Sequence, residues 1–337
     1  MRHNHDRALS IAAVVGATAL ALTGCGGGSG AAGGGGTLRL ALNQTEEHPS
    51  FIALEDFGNR LTEGTDGRWG IEVYANETLG AQQEALQLVG ADTVDMAIVA
   101  GPQLENLNEE FVAFNLPLVF DSIDHQMNVI NNPDITGDLY SSLEDQNISV
   151  LGGLTAGTRN IYTSEGPITE PADLDGMKIR VQESPIHTEM IERMGGSATP
   201  MAYGEVYTAL QSGVLDGAEN NEVSYMTQKH YEVAGYFART EHLIVPDYLV
   251  MSTERLADMS EADRAVFDAE WSAAIGEHTE LWTGATDEAI AEAEAAGVQF
   301  NDVDDETFRA AVEPLVDQSL TSDTIRELYE TTRAAAE

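Results

Sequence analysis

The 337-residue chain contains a single cysteine, Cys25, so no disulfide can form within it. It has only two lysines, Lys178 and Lys229, and with 16 basic against 57 acidic residues its net charge is −41. The basic face that phosphate contacts require is missing, which excludes nucleic acid as a partner. The histidines and the lone cysteine show no metal-ligand spacing. No G-x-S-x-G elbow, phosphate-binding loop or dinucleotide fingerprint is present. Pairs of Asp and Glu abound at this composition, so they carry no information about acid–base catalysis. No enzyme, cofactor or metal site is expected. Past residue 22 no apolar run is long enough to cross a bilayer.

What is present begins with the N-terminus. Residues 1–7 form a short basic start, and 8–22 an apolar run shorter than a comfortable membrane span. Leu22, Thr23 and Gly24 precede Cys25 in the manner of a lipobox, where a bacterial lipoprotein is lipidated and cleaved. The alternative is an ordinary signal peptide with an incidental cysteine. Residues 1–24 are read as a lipoprotein signal peptide, and glycine-rich 25–36 as a flexible tether. The folded part then starts near Thr37, outside the cytoplasm, held to the cell membrane through a lipidated Cys25.

Apolar residues make up 42% of the chain, enough for one large or two medium domains. Short apolar runs at 38–42, 70–74, 94–100, 148–154, 178–182 and 243–252 read as strands. Helical spacing marks 51–63 and 82–89. The stretch 260–296, dense in Ala, Glu and Asp, reads as one or two long helices opened by Ser260 and stopped by Gly297. Trp271 and Trp282 within it are read as packing residues. Strands alternating with helices indicate an α/β class with a mainly parallel sheet.

Two segments carry the functional signal. The segment 176–184 is a strand with Arg180 among β-branched residues, and 205–221 is a helix followed by a glycine turn and the pair Asn220 and Asn221. On a strand, Lys178, Arg180 and Gln182 share one face and Ile179 and Val181 the other. From the strand alone Arg180 is equally a surface ion-pair partner and a carboxylate anchor, its fork of donors matching both carboxylate oxygens. Arg159 follows Gly157 and Thr158 at a strand end, where α/β sheets bind ligands, or it makes a structural salt bridge. Asn220 suits a carboxylate or hydroxyl, or a turn. From the first half of the chain, His48 before Pro49, Asn43 after the first strand and Glu84 on a helix are candidates for ligand hydroxyls. For Glu84 an exposed helix position explains the residue as well.

His48-Pro49, the segment 72–80, Val94 to Met96, the segment 116–120, Gly157 to Arg159, 173–181, Thr199 to Met201, Glu205 to Tyr207 and 216–221 follow one another in the order and spacing of a known family. In these stretches the chain resembles the extracytoplasmic solute-binding proteins of TRAP transporters, the DctP family. The resemblance implies a two-lobed periplasmic-binding-protein-like clamp with α/β lobes, two crossing hinge strands and a long lobe-spanning helix. The lobes are expected at 37–156 with 246–285, and at 157–245 with 286–337, closing over a ligand held between them. Arg180 is then the carboxylate-binding arginine, Arg159 a second cleft arginine and Tyr203 an aromatic packed on the ligand. Gln182 together with the ENN run implies a sugar acid such as a uronate, with a C4-dicarboxylate as the alternative. Glu222 stands where those relatives have proline, putting a carboxylate near the expected cleft mouth. The implied role is a receptor delivering an organic acid to TRAP permease subunits, or a ligand sensor serving a signalling partner.

Overall fold

The computed structural model describes residues 34–336. The leader, Cys25 and most of the tether lie outside them. The last tether residues belong to the fold instead: Gly34 N–H donates to Asp258 O at 3.1 Å, and Gly36 N–H to Arg68 O at 2.8 Å. Gly36 adopts φ +145°, and a Cβ there would meet the Arg255 guanidinium at 2.9 Å, so glycine suits this strand start.

Among the described residues nine strands form one sheet: β1 (Gly36–Ala41), β2 (Trp69–Tyr74), β3 (Met96–Ala100), β4 (Ile148–Thr163), β5 (Lys178–Val181), β6 (Ser197–Pro200), β7 (Gly217–Asn220), β8 (Tyr236–Ser252) and β9 (Gln299–Asp302). The helices, in chain order, are α1 (Pro49–Gly64), α2 (Gln82–Gly90), α3 (Gly101–Glu105), α4 (Ile123–Ile130), α5 (Pro133–Ser141), α6 (Pro185–Arg193), α7 (Val206–Gln211), α8 (Glu222–Thr227), α9 (Thr253–Ala257), α10 (Glu261–Ala296), α11 (Asp305–Ser319) and α12 (Asp323–Ala334). The spatial order is β2-β1-β3-β8-β4-β7-β5-β6, with β9 beside β8.

The class is α/β as expected, but the sheet is mixed rather than mainly parallel. β1 pairs parallel with β2 and β3, and β5 with β6 and β7. The centre is antiparallel, because β4 runs against both β8 and β7, and β8 against β3. β4 and β8 are also far longer than the runs 148–154 and 243–252, at 16 and 17 residues. They serve both lobes. Residues 148–155 of β4 face 246–252 of β8, and residues 158–163 face 236–244, with the register breaking between Thr155 and Thr158. Gly157 sits in that break at φ +67°, and a Cβ there would fall 2.5 Å from Trp282 Cζ2. Only glycine meets both demands without strain.

One lobe packs Leu38, Leu40, Phe57, Met96 and Leu249 on one sheet face, and Val89, Phe111, Phe114, Tyr140 and Tyr248 on the other. The second lobe packs Ile161, Ile179, Val181, Met190 and Phe308 on one face and Tyr162, Val206, Tyr225 and Phe237 on the other. α10 is one 36-residue helix that contributes to both lobes. Ser260 Oγ accepts from Asp263 N–H at 3.1 Å at its start, and Gly297 at φ +95° ends it. Phe267 and Trp271 enter the first lobe, while Ala293 enters the second. Trp282 packs against the rings of His48 and His278, so both tryptophans of this helix pack rather than form a binding box.

The C-terminus departs from the expected division. Ile325, Leu328 and Tyr329 of α12 join the core of Phe111 and Tyr140 in the first lobe. Arg333 pairs with Asp121 at 2.6 Å, and His125 Nε2 meets Thr332 O at 2.8 Å. α12 therefore packs on the first lobe, whereas the expected division places 286–337 with the second. Leu320 breaks the helical run, and the apolar stripe of α12 covers a face that the first lobe leaves open.

Candidate functional site

β1, β3, β5 and β7 all deliver their carboxyl ends to one cleft, the usual ligand position in open α/β sheets. β1 leads into Asn43 and Gln44, β3 into Gln103 on α3, and β5 carries Arg180 and leads into Gln182 and Glu183. β7 ends on Asn220 and leads into Asn221. The two long strands add Arg159 and Asp247. These side chains, with Glu77, Gln82 and Tyr203, line one cavity.

Arg180 is 3% exposed. Nε and Nη2 both donate to Met201 O, at 3.0 and 2.7 Å, and Cζ lies 5.7 Å from the centre of the Tyr203 ring. Among the described residues no carboxylate pairs with it. Nη1 keeps both of its N–H donors. Burial lowers its pKa, opposed by Glu219, but a guanidinium remains charged. A buried cation without a protein counter-ion is costly unless a ligand supplies the anion. The alternation expected for this strand holds: Ile179 and Val181 are fully buried on the opposite face.

Arg159 differs. Its Nε and Nη2 donate to the Glu219 carboxylate, Nη2 also to Glu219 O at 2.7 Å, and Nη1 to Asn220 Oδ1 at 2.9 Å. One Nη1 hydrogen remains for the cavity. Both partners are at most 1% exposed. Burial alone would raise the Glu219 pKa, yet Arg159 and His242 hold it well below the usual carboxylate range. Arg159 thus lines the cavity and is also half of a buried structural ion pair.

Asn220 Oδ1 is taken up by Arg159 and by Asn221 N–H at 2.9 Å, which orients its amide nitrogen. Asn221 caps α8, accepting from Ser224 N–H at 2.7 Å. Asn220 ends a strand instead of following a glycine turn directly. Tyr203 is buried, donates its hydroxyl to Ser224 O at 3.2 Å and lines the cavity.

Six of the eight expected ligand residues line this cavity: Arg180, Arg159, Asn220, Gln182, Tyr203 and Asn43. His48 and Glu84 do not. His48 Nδ1 caps α1 by accepting from Ser50 N–H at 3.1 Å. Its ring, 1% exposed, packs edge-on against Trp282, and burial drives its pKa down to about 3, so it is neutral. Glu84 stands exposed in the first turn of α2, where a carboxylate favours the positive helix end. Glu222 also misses the cavity. It opens α8 and accepts from Asn160 Nδ2 at 3.1 Å, away from the cleft.

Sequence reasoning passed over Gln44, Glu77, Gln82, Gln103, Glu183 and Asp247. The signal for Asp247 is in the sequence: it is the one charged residue in the apolar run 243–252. Gln44 directly follows a named candidate. Asn43 Oδ1, Gln44 Oε1, Glu77 Oε1, Gln103 Oε1 and Gln182 Oε1 are buried acceptors without a protein donor. The cavity therefore sets cations on one wall against acceptors on the others, an arrangement that suits a carboxylate joined to several hydroxyls.

A two-lobed clamp with a polar cleft at its strand ends defines a solute-binding protein. The profile of the bacterial extracellular solute-binding proteins, family 7 (DctP), matches residues 40–323, and the chain belongs to that family. A solute-binding protein of Chromohalobacter salexigens is 36% identical over 276 residues, covering 80% of this chain and 81% of that relative. A TRAP periplasmic solute-binding protein of Anaerococcus prevotii, solved with bound D-glucuronate, superposes with TM-score 0.86 at 34% identity, covering 89% of this chain and 97% of that one. Another from a Bradyrhizobium species, solved with bound D-galacturonate, gives TM-score 0.85 at 32% identity over 88% and 99% of the two chains.

Proposed function

We propose that this protein is an extracytoplasmic receptor that captures a hexuronate, such as glucuronate or galacturonate, and delivers it to a TRAP permease. The observation that carries the reading is Arg180, a buried guanidinium with two free Nη1 donors and, among the described residues, no carboxylate paired with it. A ligand carboxylate completes it, and the hydroxyls of the sugar ring supply donors to the acceptor walls. The relatives solved with bound uronates share this fold. A C4-dicarboxylate needs a second unmatched cation, and Arg159 is already neutralised by Glu219. The reading is binding without turnover, so ligand is recovered unchanged.

Calorimetric titration of the purified protein with glucuronate, galacturonate, gluconate and succinate tests this. Saturable binding of a uronate supports it. Binding of succinate alone overturns the ligand class, and no binding of any acid overturns the role of Arg180. The lobes that close are proposed as 37–156 with 246–285 and 157–245 with the start of the C-terminal region, the break in β4 serving as hinge. The lipid anchor rests on the lipobox at Cys25. Replacing Cys25 by Ser should release the protein from the membrane fraction, and continued membrane retention would refute the anchor.

A further inference from the structure

The acceptor walls of the cavity are not all alike. The oxygens of Asn43, Gln44, Gln103 and Gln182 belong to amides, which can turn to present N–H₂ instead. A carboxylate has no such choice. Two carboxylates face the cavity from the first lobe and the strands that carry it: Glu77, whose Oε2 accepts from Gly204 N–H at 3.2 Å and whose Oε1 has no protein donor, and Asp247. Asp247 sits on β8 between Ala100 of β3 and Leu154 of β4. It is 4% exposed and lines the cavity. Among the described residues no protein group donates to its carboxylate, and it forms no ion pair. The charge it senses is Arg159, whose guanidinium is already engaged by Glu219 and Asn220. A carboxylate buried in an apolar strand and left without a donor is costly, so the cavity is complete only when the ligand brings one.

We propose that Asp247 is the specificity-determining residue of the site: it accepts a hydrogen bond from a ligand hydroxyl, and it bars any ligand that would set a second carboxylate against it. The receptor then separates a uronic acid from the aldaric acid formed by oxidising its other terminal carbon, a change that also opens the ring; gluconate and glucarate make the same comparison between two open chains. Attraction at Arg180 selects the first carboxylate, and repulsion at Asp247 rejects the second. This inference rests on the reading of Arg180 as a carboxylate anchor.

The test is titration calorimetry at pH 8, above the value of about 7 to which burial pushes the Asp247 carboxyl, so that it is ionised. Wild type and Asp247→Asn are each titrated with galacturonate, galactarate, gluconate and glucarate. The expected result is a wild-type preference for galacturonate over galactarate of at least about 100-fold. In Asp247→Asn galacturonate weakens about tenfold or more, galactarate improves and the preference narrows below about tenfold. Unchanged preference in the variant, or equal loss for both acids, overturns the inference. So does a wild type that takes the aldarate as well as the uronate. Because the substitution removes an unpartnered buried charge, the ligand-free variant should melt no lower than wild type. Asp247→Ala serves should the amide fail to fold. A wild type that binds gluconate but no uronate overturns the uronate reading and leaves the gluconate and glucarate pair to judge Asp247. A wild type that binds none of these acids overturns both.

Discussion

Replacing Arg180 by methionine should move two measurable quantities in opposite directions. Methionine fills much the same volume without charge or donors. The ligand-free protein loses two N–H···O contacts to one carbonyl, at 3.0 and 2.7 Å, together worth about 1–3 kcal/mol. It also sheds a buried cation that no described carboxylate pairs with directly and that Glu219 offsets only at a distance, and the effective penalty for a buried ion is several kcal/mol. The ligand-free variant should therefore be at least as stable as wild type. Binding should suffer instead. Truncating one partner of a buried, hydrogen-bonded charge pair costs about 2–5 kcal/mol, equivalent to about 30- to 5,000-fold in Kd. Arg180→Lys keeps the charge but not the planar fork, so its affinity should fall between the two. Thermal melts give the first quantity and calorimetric titration with the bound uronate the second. A variant that binds within threefold of wild type would falsify the assignment of Arg180. One that unfolds far more readily without ligand would show that the side chain is chiefly structural.

Glu219→Gln leaves Arg159 buried beside a neutral amide and should cost about 3–5 kcal/mol in denaturant unfolding; a loss below about 1 kcal/mol would mean the pair contributes little. Gly157→Ala places a Cβ 2.5 Å from Trp282 Cζ2 at φ +67°, so it should destabilise by about 1–3 kcal/mol or more. Adding Trp282→Phe should return part of that loss, and no recovery would separate the effect from this contact. Glu105, which accepts from Ser184 Oγ at 2.9 Å and Asn115 Nδ2 at 2.7 Å, has its carboxyl raised by burial from 4.5 to about 7. The folded state holds that proton more tightly than the unfolded chain, so the contribution is full below pH 4.5 and is lost as pH rises to 7. Relative to Glu105→Gln, wild type should lose stability between pH 5 and pH 8, by at most about 3 kcal/mol and less where solvent reaches the side chain. A pH-independent difference between the two proteins would refute that reasoning.

Elements whose ends are written in local chemistry were legible from sequence. α10 is bounded by a serine cap and a left-handed glycine, and both are visible in the residues alone. Short strands such as β5 declare themselves by alternation. The central strands did not, because Gly152, Gly153 and Gly157 interrupt β4 and Pro246 interrupts β8. Their continuity depends on each other's hydrogen bonds rather than on propensity. The parallel expectation failed for a related reason: alternation of strand and helix does not say which strands become neighbours. In the cleft, Arg180, Arg159 and Asn220 stood in segments with a recognisable pattern. Gln103, Glu77 and Asp247 each come from a different element, and only the fold brings them together. His48 and Glu84 were polar residues near the right strands whose side chains serve their own helices.

The long antiparallel pair also sets a timetable for folding. Met96 and Ala100 of β3 find their partners, Met251 and Asp247, only roughly 150 residues later in the chain, the kind of distant pairing that slows folding. The Phe111 core waits longer still, until Ile325 and Tyr329 arrive. A chain emerging from the ribosome can form helices and the parallel trio β5, β6 and β7, but its first-lobe core stays incomplete until Ile325 and Tyr329 have been made. Such a polypeptide stays open while it is being made, and that is the state in which a chain can be threaded through a narrow translocation channel.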